Sequence, residues 1–290
     1  MSAIVHRSYT REQLDAQLNN RLLVPDHPEY FRRWSEDSQA AVKTYACRQN
    51  LAYGSSQGER LDLFPISHGA AERAPLLAFI HGGWWQSLDK SDFNYLAPPY
   101  LEAGVAFASI NYDLAPKATI PQITDQVRRA IAWLHDNAQR YGIDERQIYV
   151  AGHSAGGHLA AMCFGTDWSA YGVEQNPIAG GVSVSGVYDL SPLIHSYQQP
   201  VLRLTEQAIQ SYSPLALRPL SQQPLICAVG AEESQEFLDQ QEDFLAAWIP
   251  QGANLKTIDL PGCNHFSAVD CLGKPGHPLL RATLDLIKAA

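Results

Sequence analysis

The sharpest chemical signal in the chain is Gly152-His153-Ser154-Ala155-Gly156, which follows the strand-like run QIYVA and precedes an apolar helical stretch. Small residues two before and two after a serine let a strand turn abruptly into a helix, leaving the hydroxyl exposed at a strained corner. The helix behind points its N-terminal dipole at the site and favours negative charge there. This is the setting of a nucleophile, although a Gly-rich turn can also serve only to shape the corner.

A second signal, His81-Gly82-Gly83-Trp84-Trp85, stands at the end of the strand-like PLLAFI. When an acyl carbonyl is attacked, its oxygen becomes an anion that needs fixed donors about 3 Å away. Consecutive glycines let backbone N–H groups approach that oxygen without a Cβ in the way. Gly82 and Gly83 are therefore candidate donors, and the N–H of Ala155, one past the serine, is the third. His81, at a strand end, reads as a structural histidine rather than a base. Of Trp84 and Trp85, one is expected in the core and one as a flat wall for an aromatic substrate.

A serine nucleophile needs a neutral imidazole oriented by a carboxylate. For a serine at this kind of turn the partners follow in the order acid, then histidine. His195, His265 and His277 come late enough, whereas His158 lies one turn into the helix behind Ser154. His265 leads, because PGCNHFSAVD is a turn-rich loop just after the last strand-like run, LKTIDL. His277 precedes Pro278 at the start of the final helical pattern, where capping explains it. The acid belongs on the loop after PLICAVG, which reads Ala231-Glu232-Glu233-Ser234. Spacing favours Glu233 over Glu232, with Glu236, Asp259 and Asp270 behind them.

These residues need a frame. From Leu61 onward, short apolar runs (RLDLF, PLLAFI, VAFASINY, QIYVAG, AGGVSVSG, PLICAVG, LKTIDL) alternate with helical patterns. Nearly continuous apolar strands are those of a parallel sheet covered on both faces. In PQITDQVRRAIAWL, Ile123, Val127, Ile131 and Leu134 form one buried stripe, with Pro121 near the start and Gly142 past the end. The expectation is one α/β domain spanning residues 1–290, with a mostly parallel central sheet, helices on both faces and an N-terminal helical addition over residues 1–50.

Composition excludes other classes. The chain has 290 residues, of which 46% are apolar and 18% charged, within the range of ordinary globular proteins. With 21 basic and 30 acidic residues, its net charge of −9 disfavours nucleic acid as a partner. The five cysteines are odd in number and lack CxxC spacing, and the ten histidines form no HExxH pair. No disulfide framework, structural zinc or catalytic metal is expected. There is no GxGxxG or Walker loop. The opening MSAIVHRSYTREQL turns polar too early for a signal peptide, and no stretch approaches the ~20 apolar residues of a membrane span. A soluble cytoplasmic protein with a small-molecule substrate is expected, without a membrane partner; a homodimer is compatible with this reading.

Taken together, these segments resemble the α/β-hydrolases, and within them the arylformamidases, or kynurenine formamidases. HGGWWQSLDKSDF resembles that family's HGGxW segment, GHSAGGHLAAM its nucleophile elbow and CNHF its histidine loop. NYDLAPKATIPQITDQVRRAI, VSGVYDLSPL, YSPLAL and VGAEESQEF are similar to the segments between, in uninterrupted order from about Tyr53 to Phe266. The resemblance implies Ser154 as nucleophile, His265 as base and Glu233 as acid, where the family usually has aspartate. It implies a cofactor-free hydrolase that cleaves N-formyl arylamines, N-formyl-L-kynurenine first among them, with aromatic residues around the arylamine. Trp84, Trp85, Tyr188 and Phe266 are the candidates for that wall. A carboxylesterase acting on small acyl esters is the neighbouring alternative. A non-catalytic binding protein on the same fold is disfavoured, since both Ser154 and His265 are present.

Overall fold

The computed structural model describes residues 3–66 and 73–289, so the first two residues of the polar opening stretch lie outside it. All seven apolar runs are strands: β4 (Arg60–Phe64), β5 (Ala74–Ile80), β6 (Ala106–Ile110), β7 (Ile143–His153), β8 (Ile178–Val184), β9 (Leu225–Gly230) and β10 (Leu255–Leu260). With β3 (Arg48–Ala52) they form an eight-stranded sheet in the order β10-β9-β8-β7-β5-β6-β4-β3. The pairs β3–β4 and β4–β6 are antiparallel, and every other pair is parallel.

Alternate residues of each central strand face opposite layers, as the period-2 geometry requires. Leu76, Ala78, Ile80, Ala106, Ala108, Ile110 and Val150 join one apolar cluster, and Leu77, Phe79, Phe107, Tyr149, Ala151 and Val182 the other. The helix α5 (Ile120–Asn137) lays Ile123, Val127, Ile131 and Leu134 on the first cluster. A Thr119–Gln122 capping box starts it, and left-handed Gly142 closes the 3-10 turn that follows. The helix α6 (Ala155–Phe164) is buried along its whole length. The other layer receives α4 (Ala97–Glu102) and α11 (Pro278–Lys288).

The N-terminal fifty residues are more varied than the helical patterns suggest. Helices α1 (Arg11–Leu18), α2 (Asn20–Leu23) and α3 (His27–Thr44) are present, but a small antiparallel hairpin, β1 (Ile4–His6) with β2 (Tyr9–Thr10), precedes them. The edge strand β3 begins inside the segment expected to be helical. Its residues are largely exposed, so they carry no apolar signal and take their strand state from pairing with β4. Helices α7 (Gln199–Leu202) and α8 (Glu206–Tyr212) precede β9, α9 (Gln235–Trp248) follows it, and the short α10 (His265–Asp270) follows β10.

Register brings the functional loops together. Gly152 is level with Ile80 on one side and Ser183 on the other, while Leu260 is level with Gly230. The loops after β5, β7, β8, β9 and β10 therefore leave one carboxyl edge of the sheet, where open α/β folds bind ligands. The helix α3 is tied to α10 through Asp270. That carboxylate accepts from Trp34 Nε1 at 2.8 Å, Tyr95 Oη at 2.9 Å and Arg33 Nη2 at 2.5 Å. Asp270, a fallback candidate for the acid, is thus a structural clasp. Replacing Asp270 with alanine leaves the buried Trp34 N–H without its acceptor. Urea unfolding is expected to show a loss of about 2 kcal/mol, and an unchanged midpoint would contradict the clasp.

Candidate active site

Ser154 has φ 58° and ψ −120°, a conformation that L-residues adopt at a cost of about 1–3 kcal/mol. The surroundings hold it there. Its N–H donates to the Val184 carbonyl at 2.9 Å, and its own carbonyl accepts from His158 N–H at 3.0 Å, which starts α6. A Cβ on Gly152 would come within 2.0 Å of the Gly156 carbonyl oxygen, and one on Gly156 within 2.0 Å of the Ile80 oxygen. The glycines around the serine are there because backbone crosses backbone at this corner.

The His265 Nδ1–H donates to Glu233 Oε2 at 2.6 Å. The other carboxylate oxygen accepts from Ser185 Oγ at 2.5 Å and from Gly230 N–H at 2.8 Å. The Glu233 side chain is completely buried, while its neighbour Glu232 is exposed. Three donors converging on one buried carboxylate fix its position and the ring plane of the histidine. His153 reinforces the arrangement by donating from Nε2 to the His265 carbonyl at 2.8 Å, and burial holds its pKa well below the ordinary histidine range. Ser154 and His265 open onto the same cavity of about 400 Å³. Among the described residues, no hydrogen bond joins Ser154 Oγ to the imidazole; such contacts commonly tighten only when substrate binds.

The N–H groups of Gly82, Gly83 and Ala155 have no backbone acceptor among the described residues. Ala155 is the first residue of α6, where helix geometry leaves an N–H without an intrahelical partner. Gly83, at φ +100°, also lines the cavity. His81 is fully buried, with Nδ1 2.9 Å from the Gly82 carbonyl and Nε2 3.0 Å from Asn111 Oδ1, and it stacks on Tyr112. It holds the glycine loop and does not reach the cavity.

Of the four aromatic candidates, Trp84 and Phe266 line the cavity and two do not. Trp85 is fully buried with its ring edge-on to His158, and Tyr188 is stacked on Phe244 beneath the site. Trp84 and Trp85 both take left-handed backbone, φ 52° and 55°, in the turn after β5, with Trp84 on the cavity and Trp85 in the core; the Ser183 hydroxyl holds Tyr188 in the core. The wall is completed by Phe31 and Trp34 of α3, which meet Phe266 at ring-centroid distances of 5.4 and 6.2 Å. Sequence reading missed both, since nothing local marks a helical aromatic as a cavity wall. Asn19, Asn20, Arg21, Tyr197 and Gln198 also line the cavity and were missed for the same reason. His277 caps α11 by accepting from Leu279 N–H, and His195 is exposed. Glu236 is occupied by His6 and Arg7, and Asp259 is exposed on the last strand.

Comparison with known proteins adds to this geometry. Kynurenine formamidase of Danio rerio is 32% identical over 270 residues, covering 91% of this chain and 89% of that protein. That of Salmo salar is 30% identical over 289 residues, covering 98% and 95%. The chain belongs to the kynurenine formamidase family. The BD-FAE family matches residues 61–196, the stretch from β4 past the serine elbow and β8. A candidate thioesterase from Silicibacter sp. TM1040 superposes with a TM-score of 0.81 at 28% identity, covering 95% of this chain and 99% of that one. Esterases recur among the other relatives and solved structures. The sheet and its helices are thus an α/β-hydrolase fold, and this family member is a hydrolase of amide or ester bonds. Among the described residues, no group of His, Cys, Asp or Glu is arranged to hold a metal, and no helix is long and apolar enough to cross a membrane.

One histidine behind the site gives a pH signature to stability. His158 is fully buried, donates from Nε2 to the Tyr212 carbonyl at 2.7 Å, and has its pKa pushed down to about 4 by burial. The folded protein keeps this ring neutral where the unfolded chain, near 6.5, protonates it. The stabilisation is therefore complete above pH 6.5 and is lost as pH falls toward 4, by about 3 kcal/mol. Urea unfolding between pH 7 and 4 should show a shallower decline in His158→Gln than in the wild type; parallel declines would contradict this assignment.

Proposed function

We propose that this hydrolase cleaves N-formyl arylamines, with N-formyl-L-kynurenine as its principal substrate and L-kynurenine and formate as products. Ser154 is the nucleophile, His265 the general base and Glu233 the acid that orients it. The support for these roles is the Glu233–His265 hydrogen bond at a cavity shared with Ser154 and walled by Phe31, Trp34, Trp84 and Phe266.

In the proposed reaction, His265 Nε2 takes the Ser154 hydroxyl proton as Oγ bonds to the formyl carbon. The carbonyl electron pair moves onto oxygen, where the N–H groups of Gly82, Gly83 and Ala155 receive it. Collapse of this intermediate breaks the C–N bond, and His265 returns the proton to the departing arylamine nitrogen. Water, deprotonated by the same imidazole, then attacks the formyl carbon on Ser154; collapse breaks the C–Oγ bond, His265 returns the proton to Ser154 Oγ, and formate leaves. Glu233 accepts the Nδ1 hydrogen bond throughout and stabilises the imidazolium form. A formyl group has only hydrogen beyond its carbonyl, so the acyl side needs little room, and the aromatic wall accommodates the aniline ring. Residues 1–50 act as a cap within the same domain, since Asn19 at the α1–α2 junction, Asn20 and Arg21 of α2, and Phe31 and Trp34 of α3 line the cavity.

The test is the ratio of kcat/KM for N-formyl-L-kynurenine to that for p-nitrophenyl acetate. A preference for the formamide is expected, together with a loss of at least about 10⁴-fold in kcat in Ser154→Ala. A strong preference for the ester would overturn the substrate assignment in favour of a carboxylesterase.

A further inference from the structure

The cavity is lined by polar as well as aromatic side chains. Beside Ser154, His265 and the aromatic rings, α2 adds an asparagine and an arginine to the lining. Among the described residues that line the cavity, Arg21 alone carries a permanent charge. Its guanidinium donates from Nη2 to Ser87 Oγ at 3.2 Å and lies 5.5 Å from the centre of the Phe31 ring. A hydroxyl and a ring face position the cation without neutralising it. Among the described residues, no carboxylate forms an ion pair with it, and Asp15 of the preceding helix accepts instead from Tyr197 N–H. Four of the five N–H donors of a guanidinium bound only in this way remain for another acceptor.

Asn20 supplies an independent observation. Its side chain is buried, at 4% exposure, lines the same cavity, and its Nδ2 has no hydrogen-bond partner. A buried donor without an acceptor is costly and uncommon in folded proteins. An amide donor and an arginine on consecutive residues, both lining the cavity onto which Ser154 opens, match a planar monoanion. A phosphate dianion would call for more than one cation.

We propose that Asn20 and Arg21 form a subsite for the α-carboxylate of an amino-acid headgroup, so that this hydrolase selects arylformamides carrying one. The proposal rests on the formamidase reading above and deepens it. The ring of such a substrate occupies the aromatic wall, its formyl carbon faces Ser154, and the carboxylate at the other end is held by the cap. A carboxylate contact equally strong in the bound substrate and the transition state lowers KM without raising kcat.

The experiment compares N-formyl-L-kynurenine with a 2-formamidophenyl alkyl ketone that lacks the amino-acid headgroup. In Arg21→Gln, KM for the first is expected to rise roughly ten- to hundredfold. Its kcat should stay within about threefold of the wild type, and kcat/KM for the ketone should change by less than about twofold. Asn20→Asp, which sets a carboxylate against a carboxylate, should impair only the headgroup-bearing substrate, and Arg21→Lys should recover part of the loss. Equal loss on both compounds, or no change on either, would overturn the subsite. If the wild type cleaves neither formamide, the formamidase reading fails, and the same variants are compared on two aryl acetates with and without the headgroup. A headgroup-selective rise in KM there still supports the carboxylate subsite, and its absence overturns it.

Discussion

The chemistry proposed for this chain depends on one buried carboxylate. Glu233 accepts from the histidine ring, from the Ser185 hydroxyl and from the Gly230 N–H, and so joins the loops after β8, β9 and β10 at a single point. A carboxylate removed from water is tolerable only when its oxygens are filled with donors, and here the donors come from separate strands. The glutamate reaches the imidazole with Oε2 while folding back on its own loop, with Oε1 against the N–H of the residue three before it. Strand register is what makes this convergence geometric, since Leu260 runs level with Gly230 and brings the histidine loop beside the acid loop.

Around that point the N-terminal segment supplies what the sheet cannot. The sheet edge provides a serine, an imidazole and the candidate backbone donors. The face toward the rest of a substrate comes from α2 and α3, and α3 is held to the histidine's own helix by Asp270. Loosening the cap therefore disturbs both the aromatic wall and the short helix that starts with His265. Stability and specificity are coupled through one clasp.

Much of this was legible in the sequence because it is local. The serine elbow needs small residues at fixed offsets, and the seven strands show themselves as apolar runs bounded by turns. His265 and Glu233 follow from chain order and from their places after strands. What escaped depends on distance in the chain. Phe31, Trp34, Asn20 and Arg21 look like any surface helix until it is known that the helix lies over the carboxyl edge of the sheet. Trp85 and Tyr188 read as walls from sequence because an aromatic near such a loop can face either way, and only packing against His158 and Phe244 decides. The edge strand β3 and the β1–β2 hairpin are short and polar, with pairing rather than pattern as their cause.

The most direct test is the rate at which a fluorophosphonate inactivates the protein, with the modified residue located by peptide mapping. If Glu233 orients His265 to activate Ser154, the wild type is labelled at Ser154, and Glu233→Gln reacts on the order of 10³-fold more slowly or worse while Glu233→Asp retains much of the rate. Labelling of Glu233→Gln at the wild-type rate, or modification of a serine other than Ser154, would contradict the account.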